Sequence, residues 1–565
     1  EIVPSRGFQS SMDYKVIIGL GRIAKIDSVI IRWPDLSWSR YISPPVNQVY
    51  SIDENNERRY PFSSQLQTNT PDTSAMFQRQ PVQFDKHEED DYVDFFYERN
   101  VPEMLSRLGP KAAVADVNAD GLDDVVIGGT AGHPAQVYLQ SATKRFVRSD
   151  QPSIAQFSDF EDNGVLVFDA NHDGKPDLLL CPGGNNVSPG SRQLQLRLFL
   201  NDGAGHFNID ADAFPANEDN ISVAVANDFD HDGYPDLFVG GRSVPKEYGM
   251  NPVSHLFRND GRGHFTDVAG ALAPGLSNIG MVTGAVWTDI DGDGEKELVI
   301  TGEWMAPAIF HYDPHTKKFA AVEHTGLEQL FGLWQTVTAD DLNGDGRPDL
   351  VFGNVGENFY LRPDSAHPVK LFVNDFDQNG VVDKILTYTV DGHDKPVFLK
   401  HDLEDAMPFL KKNNLRHAEY AKKSVQDLVP ADALNKALQK TFNYCSSIIA
   451  FNEGNGKFRV SKLPDMTQLS SVNAVVSTDI NGDGLPDLIL GGNQFDFLPQ
   501  LERLDASRGD VLINKGQGKF ARMDARGSGL DVTGEVRDLA AIRVGDRRYV
   551  LFFVNDSYPA VYELN

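Results

Sequence analysis

Carboxylate and carboxamide side chains recur in this chain at a spacing that suits a hard metal ion. Seven stretches fit D-x-[DN]-x-[DN]-G-x-x-[DE], the first at 116–124 and the last at 479–487. Ca²⁺ takes six to eight oxygen ligands at ~2.3–2.6 Å. Oxygens at positions 1, 3 and 5 converge when the chain curls, the glycine at position 6 allows a sharp turn, position 7 offers a carbonyl and the acid at position 9 closes the shell. The spacing therefore predicts up to seven bound Ca²⁺ ions.

Each predicted site takes five residues, at positions 1, 3, 5, 7 and 9 of its loop. The first four loops supply Asp116, Asn118, Asp120, Leu122 and Asp124; Asp169, Asn171, Asp173, Lys175 and Asp177; Asp228, Asp230, Asp232, Tyr234 and Asp236; and Asp289, Asp291, Asp293, Glu295 and Glu297. The last three supply Asp341, Asn343, Asp345, Arg347 and Asp349; Asp375, Asp377, Asn379, Val381 and Asp383; and Asp479, Asn481, Asp483, Leu485 and Asp487. A single Asp/Asn/Gly cluster could be an ordinary turn. Seven copies with the same glycine and the same closing acid favour metal binding.

The residues around these loops predict β-strands. An EF-hand loop closes with glutamate at position 12 and joins two helices, whereas the closing acid here is at position 9. The first loop lies between the apolar stretches 112–115 and 125–129. We therefore expect each loop to join two strands.

A second motif, N-x-G-x-G-x-F, recurs at 201–207, 259–265, 452–458 and 514–520. Its Asn and Gly residues suit the positive φ of a hairpin, and short apolar stretches such as 196–200 precede it. One unit is then strand, metal loop, strand, strand, hairpin, strand. Repeated four-stranded units are typical of β-propellers, so we predict an all-β propeller with seven blades, eight being the alternative.

These units resemble the FG-GAP/VCBS repeats of integrin α-chain propellers and of bacterial surface proteins, from about residue 81 to residue 565. The first residues resemble a different module, ASPIC/UnbV, through Arg6–Ser11, Gly19–Gly21 and Val29–Asp35. That module accompanies FG-GAP repeats in the cartilage acidic protein family and in secreted Bacteroidetes proteins. There it usually follows a propeller, so its place at residue 1 implies a preceding propeller that was cut away. The family's glycine after Trp-Pro-Asp is Leu36 here.

The predicted organisation has three parts: a β-rich ASPIC/UnbV-like module over 1–54, a linker over 55–80 and the propeller over 81–565. The sixth loop follows the fifth too closely for a full blade, so we expect it to replace an outer hairpin. A long interval follows the sixth loop, and Leu434, Leu438 and Phe442 recur there at i, i+4, i+8. We predict a helical insertion over about 401–443, on one rim of the propeller.

Composition excludes several classes of partner. The net charge of −29 argues against nucleic acid and anionic membranes, and most of the acidic excess lies in the seven loops. No apolar stretch is long enough to cross a membrane. Cys181 and Cys445 could form one disulfide or remain free, and free thiols are favoured. The sequence does not indicate an oligomeric state.

We interpret the chain as a non-catalytic binding, adhesion or scaffold module for a glycan or an extracellular protein. Structural loops of this type need far more calcium than resting cytosol supplies, which predicts a secreted, periplasmic or cell-surface location. The opening Glu1-Ile2-Val3 lacks an initiator Met, so we expect a processed piece of a longer chain with a secretion signal upstream.

The alternative is a Ca²⁺-dependent polysaccharide lyase or another glycan-active enzyme. It would draw on His87-Glu88-Glu89, or on Glu303-Trp304 with Trp287 and Trp334 for sugar stacking, although packing of the tryptophans in the core is the favoured interpretation. His172 and His231 stand at position 4 of their loops, where we expect surface side chains. Arg508-Gly-Asp510 spells an integrin-ligand tripeptide, and we interpret it as coincidence.

Overall fold

The computed structural model describes residues 15–21, 23–33, 37–53 and 75–565. The chain divides into two compact units, Glu1–Thr73 and Ser74–Asn565. The first unit contains an antiparallel pair, β1 (Ser28–Arg32) and β2 (Trp38–Ile42). The indole N–H of Trp33 donates to the Ser39 hydroxyl across this pair at 2.9 Å. The Arg6–Ser11 motif, the Pro34-Asp35-Leu36 stretch and most of the predicted linker lie outside the described residues.

Seven antiparallel sheets make up most of the second unit, and each carries its strands in the order given. The first four sheets are β4 (Ala112–Ala115), β5 (Asp124–Ile127), β6 (Gln136–Gln140) and β7 (Phe146–Arg148); β8 (Asp162–Phe168), β9 (Asp177–Pro182), β10 (Arg197–Asn201) and β11 (Phe207–Asp210); β12 (Asn220–Asn227), β13 (Asp236–Ser243), β14 (His255–Asn259) and β15 (Phe265–Asp267); and β16 (Met281–Thr288), β17 (Glu297–Met305), β18 (Ala308–Asp313) and β19 (Lys318–Ala321), with β20 (Gly332–Leu333) paired to β17. The last three are β21 (Thr336–Asp340), β22 (Asp349–Gly353), β27 (Ile448–Gly454) and β28 (Lys457–Lys462); β29 (Val472–Thr478), β30 (Asp487–Gly492), β31 (Asp510–Asn514) and β32 (Phe520–Arg522); and β33 (Val536–Val544), β34 (Arg547–Val554), β35 (Ala560–Leu564) and β3 (Phe77–Arg79).

The first strands of these sheets form a closed ring. Each contacts the first strand of the next sheet, and β33 of the last sheet contacts β4 of the first. The second strands of the first six sheets are buried along their whole length, as in β9 and β17, and β34 of the last sheet is buried over its last five residues, because both faces of each sheet pack against neighbouring sheets. The predicted all-β, propeller-like architecture is confirmed, and the strand contacts favour a count of seven blades.

The last sheet is completed by a strand from before the first sheet. Phe77 pairs with Leu564 and Arg79 with Tyr562. The boundary predicted at residue 81 therefore differs from the structure, since 77–79 of the predicted linker belong to the ring. Three residues with little periodicity carry no sequence signal for a strand whose partner is at the other end of the unit.

An eighth sheet is inserted between β22 and β27. It consists of β23 (Val369–Asn374), β24 (Asp383–Val390), β25 (His393–Pro396) and β26 (Leu438–Phe442), in the order β25-β24-β23-β26. The sixth loop joins β23 to β24 in this separate sheet, so the prediction that it replaces an outer hairpin is wrong.

Short helices cross between β25 and β26. The α-helices of the described residues are α1 (Asp94–Tyr97), α2 (Pro152–Ala155), α3 (Ala269–Leu272), α4 (Lys400–Ala406), α5 (His417–Tyr420), α6 (Val425–Leu428), α7 (Ala431–Lys436) and α8 (Ala525–Ser528), with 3₁₀ turns at Arg192–Leu194, Pro408–Asn413 and Asp465–Leu469. The helical insertion predicted over about 401–443 consists of short helices that end at Lys436, and Leu438–Phe442 is a strand. A spacing of four residues puts two side chains on one face of a strand as well as of a helix, so the spacing of Leu438 and Phe442 did not discriminate between the two structures.

Among the described residues, none of these helices has the length and apolar character needed to span a membrane.

Candidate metal centres

Six of the seven loops lie at one rim of the ring, which we call the loop rim. Each of the six joins the first strand of its sheet to the second, and the sixth loop in chain order lies in the inserted sheet. The acid at position 9 begins the next strand and is at most 4% exposed in every loop. The acids at positions 1 and 5 are half-buried or exposed. Each loop therefore pairs a buried carboxylate with accessible ones.

The loop backbone takes the left-handed conformation at two positions. The glycine at position 6 has φ between 82° and 94° in all seven loops, as its residue type predicts. The residue at position 4 also has positive φ, between 58° and 79°, although only three of the seven are glycine. His172 and His231 hold such positions, and both are exposed.

Backbone hydrogen bonds hold the acids of each loop in place. One oxygen of the position-1 carboxylate accepts the N–H of the position-6 glycine at 2.8–3.0 Å in all seven loops. One oxygen of the position-9 acid accepts the N–H of position 2 at 2.8–3.3 Å. Each carboxylate oxygen has a further lone pair, so the same atoms can also bind a cation.

Carboxylates come together in three loops. Ligand oxygens lie within 4.8 Å of one another in three groups: Asp228, Asp230 and Asp236; Asp375, Asp377 and Asp383; and Asp289, Asp291 and Asp293. One oxygen of Asp230 and one of Asp377 are buried without a hydrogen-bond partner. Such oxygens are costly unless a cation satisfies them, so these two loops fit a metal ion.

The other four loops have Asn at position 3. Their acids do not form a group of three at this distance in the described part of the chain. The assignment of the carbonyls at position 7 and of calcium to every loop stays a prediction.

Burial raises the pKa of the position-9 acids. The pKa is raised to about 6 at Asp124, Asp177, Asp349 and Asp383 and to about 7 at Asp236, because burial disfavours the charged form, and the other loop acids add to the rise. A cation at the loop would favour the charged form instead.

The first asparagine of the hairpin motif ties four of the sheets to the loop of the preceding sheet. Its side-chain N–H donates to the carbonyl of position 2 in that loop at 2.7–2.8 Å, from Asn201, Asn259, Asn452 and Asn514. Its backbone N–H donates to the position-9 acid of its own loop at 2.7–2.9 Å. We call this arrangement the asparagine clamp. The repetition of these asparagines in the sequence predicts hairpins, but it does not predict their contact with the preceding loop.

Two protein-family models match the chain. The ASPIC and UnbV model matches residues 1–59, and the FG-GAP-like repeat model matches 116–180, 228–300 and 289–352. The three repeat matches begin at position 1 of the first, third and fourth loops. The chain contains FG-GAP-like repeats and an ASPIC/UnbV module. The resemblance inferred from the sequence is confirmed.

Several solved structures are similar to the chain at low identity. An Agrocybe aegerita lectin that recognises non-reducing terminal N-acetylglucosamine is 14% identical, with 77% of this chain and 82% of the lectin covered, at a TM-score of 0.37. The V. cholerae biofilm matrix protein Bap1 is 10% identical, with 86% and 91% covered, at 0.36. Saccharomyces cerevisiae Sqt1 is 11% identical, with 83% and 99% covered, at 0.39. These scores are too low for the structures to bear on function.

The opposite rim of the FG-GAP ring is closed by polar side chains at β-bulges and by a covering segment. Ser222 and Thr283 donate to carbonyls of the next sheet at 2.7 and 2.8 Å. We call residues 84–108 the covering segment. It bonds to residues that follow the second strands of four sheets: Asn185, Tyr248, Gln494 and Asn555.

A buried polar cluster lies where the covering segment meets the ring. The Tyr248 hydroxyl donates to Glu103 at 3.0 Å, and the Arg242 guanidinium pairs with Glu303 at 2.7 Å. Burial and the neighbouring Glu303 raise the pKa of Glu103 well above its usual range. Glu303 itself is fully buried. Glu303 was a candidate from the sequence, but no local pattern predicts its partners, because they are distant along the chain.

The remaining candidates for enzymatic chemistry are mostly enclosed. Trp287, Trp304 and Trp334 are buried, at 9%, 5% and 0% exposure, so their faces are not available for sugar stacking. His87 is buried and Glu89 half-buried, whereas Glu88 is exposed.

The Arg508-Gly-Asp510 tripeptide and the two cysteines were also candidates from the sequence. The Asp510 carboxylate of Arg508-Gly-Asp510 pairs with Arg522 at 2.5 Å and is 7% exposed, so it is not presented to a partner. Cys181 and Cys445 are free. Burial raises the pKa of the Cys445 thiol to about 11, which keeps it protonated at neutral pH.

Proposed function

We propose that the chain is a calcium-stabilised FG-GAP propeller that binds a glycan or a surface protein outside the cytoplasm without turning it over. The observation that carries the proposal is the pair of buried carboxylate oxygens without a partner, on Asp230 and Asp377, inside groups of three acids. All the donors there are oxygens, which Ca²⁺ prefers. The FG-GAP-like repeats support a role as a binding or adhesion module.

Calcium also accounts for the composition. Clustered carboxylates repel one another in a chain of net charge −29, and a divalent ion in each loop offsets that repulsion. Structural sites of this kind fill where calcium is abundant. This supports the extracytoplasmic location that we propose.

The covering segment offers a face for a partner. Phe96 and Tyr97 in α1 are 77% and 67% exposed, and Tyr97 stacks on Tyr92 with ring centroids 4.6 Å apart. Two buried side chains hold the helix in place: Asp94 accepts a hydrogen bond from Asn185 at 2.6 Å, and Glu98 pairs with Lys384 at 2.6 Å. Rigid exposed aromatic rings lose little entropy on binding.

The calcium part of the proposal is tested by thermal unfolding in chelator and in millimolar Ca²⁺. A loop at one hundred times its Kd adds about 2.7 kcal/mol to the free energy of unfolding, so occupied loops together should raise Tm by many degrees. Equal melting temperatures in the two buffers would contradict the proposal.

The binding part is tested with a glycan array and a pull-down of surface proteins, each with and without Ca²⁺. Phe96→Ser should weaken binding, whereas Val147→Ser, an apolar residue 58% exposed on the outer strand β7, should not. A panel of polysaccharides is incubated in parallel and reducing ends are followed. Cleavage that is abolished in His87→Ala would overturn the non-catalytic interpretation in favour of the lyase.

A further inference from the structure

The fourth loop differs from the others in the residue type of its closing acid. Position 9 is Glu297 here and aspartate in the other six loops. The longer side chain carries its second oxygen outward, where it lies 2.8 Å from Nδ1 of His311. In five other loops the corresponding oxygen accepts a backbone N–H of the third strand instead. In the fourth loop this carboxylate oxygen therefore contacts an imidazole and not a backbone N–H.

Among the six sheets that carry a loop at the rim, only the fourth has a histidine at this position of its third strand. His311 follows Phe310, which pairs with Leu298 directly after the loop. In the five other sheets that carry a loop at the rim, the matching residue on the third strand is Leu139, Leu200, Arg258, Phe451 or Ile513. None of those side chains is a metal ligand, so only the fourth sheet brings a nitrogen donor to its loop.

Two carboxylates and one imidazole meet at this point. Ligand atoms of Asp291, Glu297 and His311 all lie within 4.8 Å of one another. Asp291 also belongs to the group with Asp289 and Asp293. Glu297 is buried, whereas the His311 side chain is 32% exposed, so the group is anchored at one end and open to solvent at the other.

We propose that Asp291, Glu297 and His311 bind a first-row transition metal of the Zn²⁺ type. Ca²⁺ takes oxygen ligands, whereas imidazole suits Zn²⁺ and its neighbours. One nitrogen and two carboxylates supply three protein ligands, and a water or a partner's side chain completes the shell. The proposal goes beyond the calcium sites of the proposed function: it shares Asp291 and Glu297 of the fourth loop with them and adds His311.

The competing interpretation is a simple ion pair between His311 and Glu297. The chain offers a control for it, because His206 pairs with Asp202 at 3.1 Å on an exposed hairpin outside any group of three ligands. An ion pair alone predicts that His311 and His206 behave alike toward zinc.

The test is a calorimetric titration of ZnCl₂ into the full chain held in millimolar Ca²⁺. Wild type should bind one equivalent more tightly than any other site, and a crystal of the complex should show zinc at His311 in an anomalous difference map. His311→Leu should weaken that binding at least about tenfold, since even indirect partners of a metal change affinity by this factor. His206→Leu should leave it unchanged.

A second variant guards against misfolding. Leucine already occupies the matching position in two sheets, and Glu297→Asp restores the residue of the other loops, so both changes suit the fold. Each should weaken zinc binding. Equal zinc affinity in wild type and His311→Leu, or zinc located elsewhere in the map, would overturn the proposal. The rise of Tm with Ca²⁺ is measured separately, so a failure of the calcium proposal is distinguishable from a failure of this one.

Discussion

The two rims of the ring are held together in different ways. At the loop rim the same nine-residue turn recurs, its acids are fixed by its own backbone, and the asparagine clamp repeats from sheet to sheet. At the opposite rim the contacts do not repeat. The covering segment and the inserted sheet are joined there by the buried ion pair Lys384–Glu98, and a second buried pair, Arg242–Glu303, lies within the ring. The loop rim thus repeats one kind of candidate metal site. The opposite rim depends on particular pairs of side chains.

The largest expected effect of a single substitution is at the opposite rim. Arg242→Met leaves Glu303 as an uncompensated buried charge, which should cost about 3–5 kcal/mol in the free energy of unfolding. Arg192→Met is the control, because Arg192 pairs with Asp159 at 3.2 Å where both side chains are about half exposed, and it should cost less than about 1 kcal/mol. Urea unfolding in Ca²⁺ measures both. Similar losses would remove the contrast between buried and exposed pairs.

At the loop rim, one acid should matter only while calcium is present. Asp341→Ala removes position 1 of the fifth loop and should cost about 2.7 kcal/mol at calcium concentrations one hundred times Kd. Asp505→Ala is the control, since Asp505 is 65% exposed outside any loop. The difference between the variants should shrink in chelator. A difference that persists unchanged would mean that the backbone contacts of Asp341, and not a metal, stabilise the loop.

The opposite rim should also be the more sensitive to acid. Burial lowers the pKa of His87 to about 3, whereas histidine in the unfolded chain titrates near 6.5. Between these values the unfolded chain binds one proton more, so stability is lost as pH falls through 6.5. From pH 7 to 5 wild type should lose about 2 kcal/mol more than His87→Gln. Denaturant unfolding in saturating Ca²⁺ at both pH values measures this, and parallel losses would refute it.

The smallest effect is expected at the asparagine clamp. Asn514→Ala removes donors to the carbonyls of Leu342 and Pro486, at 2.7 and 3.0 Å, and should cost about 1–2 kcal/mol. Asn208→Ala, on the exposed side of β11, should be nearly neutral. If both variants unfold at the same urea concentration, the clamp does not couple neighbouring sheets.

The contrast between the rims also explains what the sequence could predict. A metal loop is complete within nine residues, so its glycine, its acids and the strands on either side were visible in the sequence. The asparagine clamp was visible as a repeated residue, but its acceptor lies in the preceding sheet. Glu103, Arg242 and Glu303 meet only in the folded ring, and no local pattern connects them. His311 escaped notice for the same reason, since it lies on the third strand and not in the loop.

The pairing of β3 with β35 has a consequence for how the chain is made. Phe77 emerges from the ribosome early and must wait for Leu564 before it has a partner. Until then the growing ring carries unpaired strand edges, which are prone to association with other chains. Contacts this distant along the chain form slowly, so sealing of the last sheet should be a late step in biogenesis, and helpers that shield open edges should raise the yield of soluble protein.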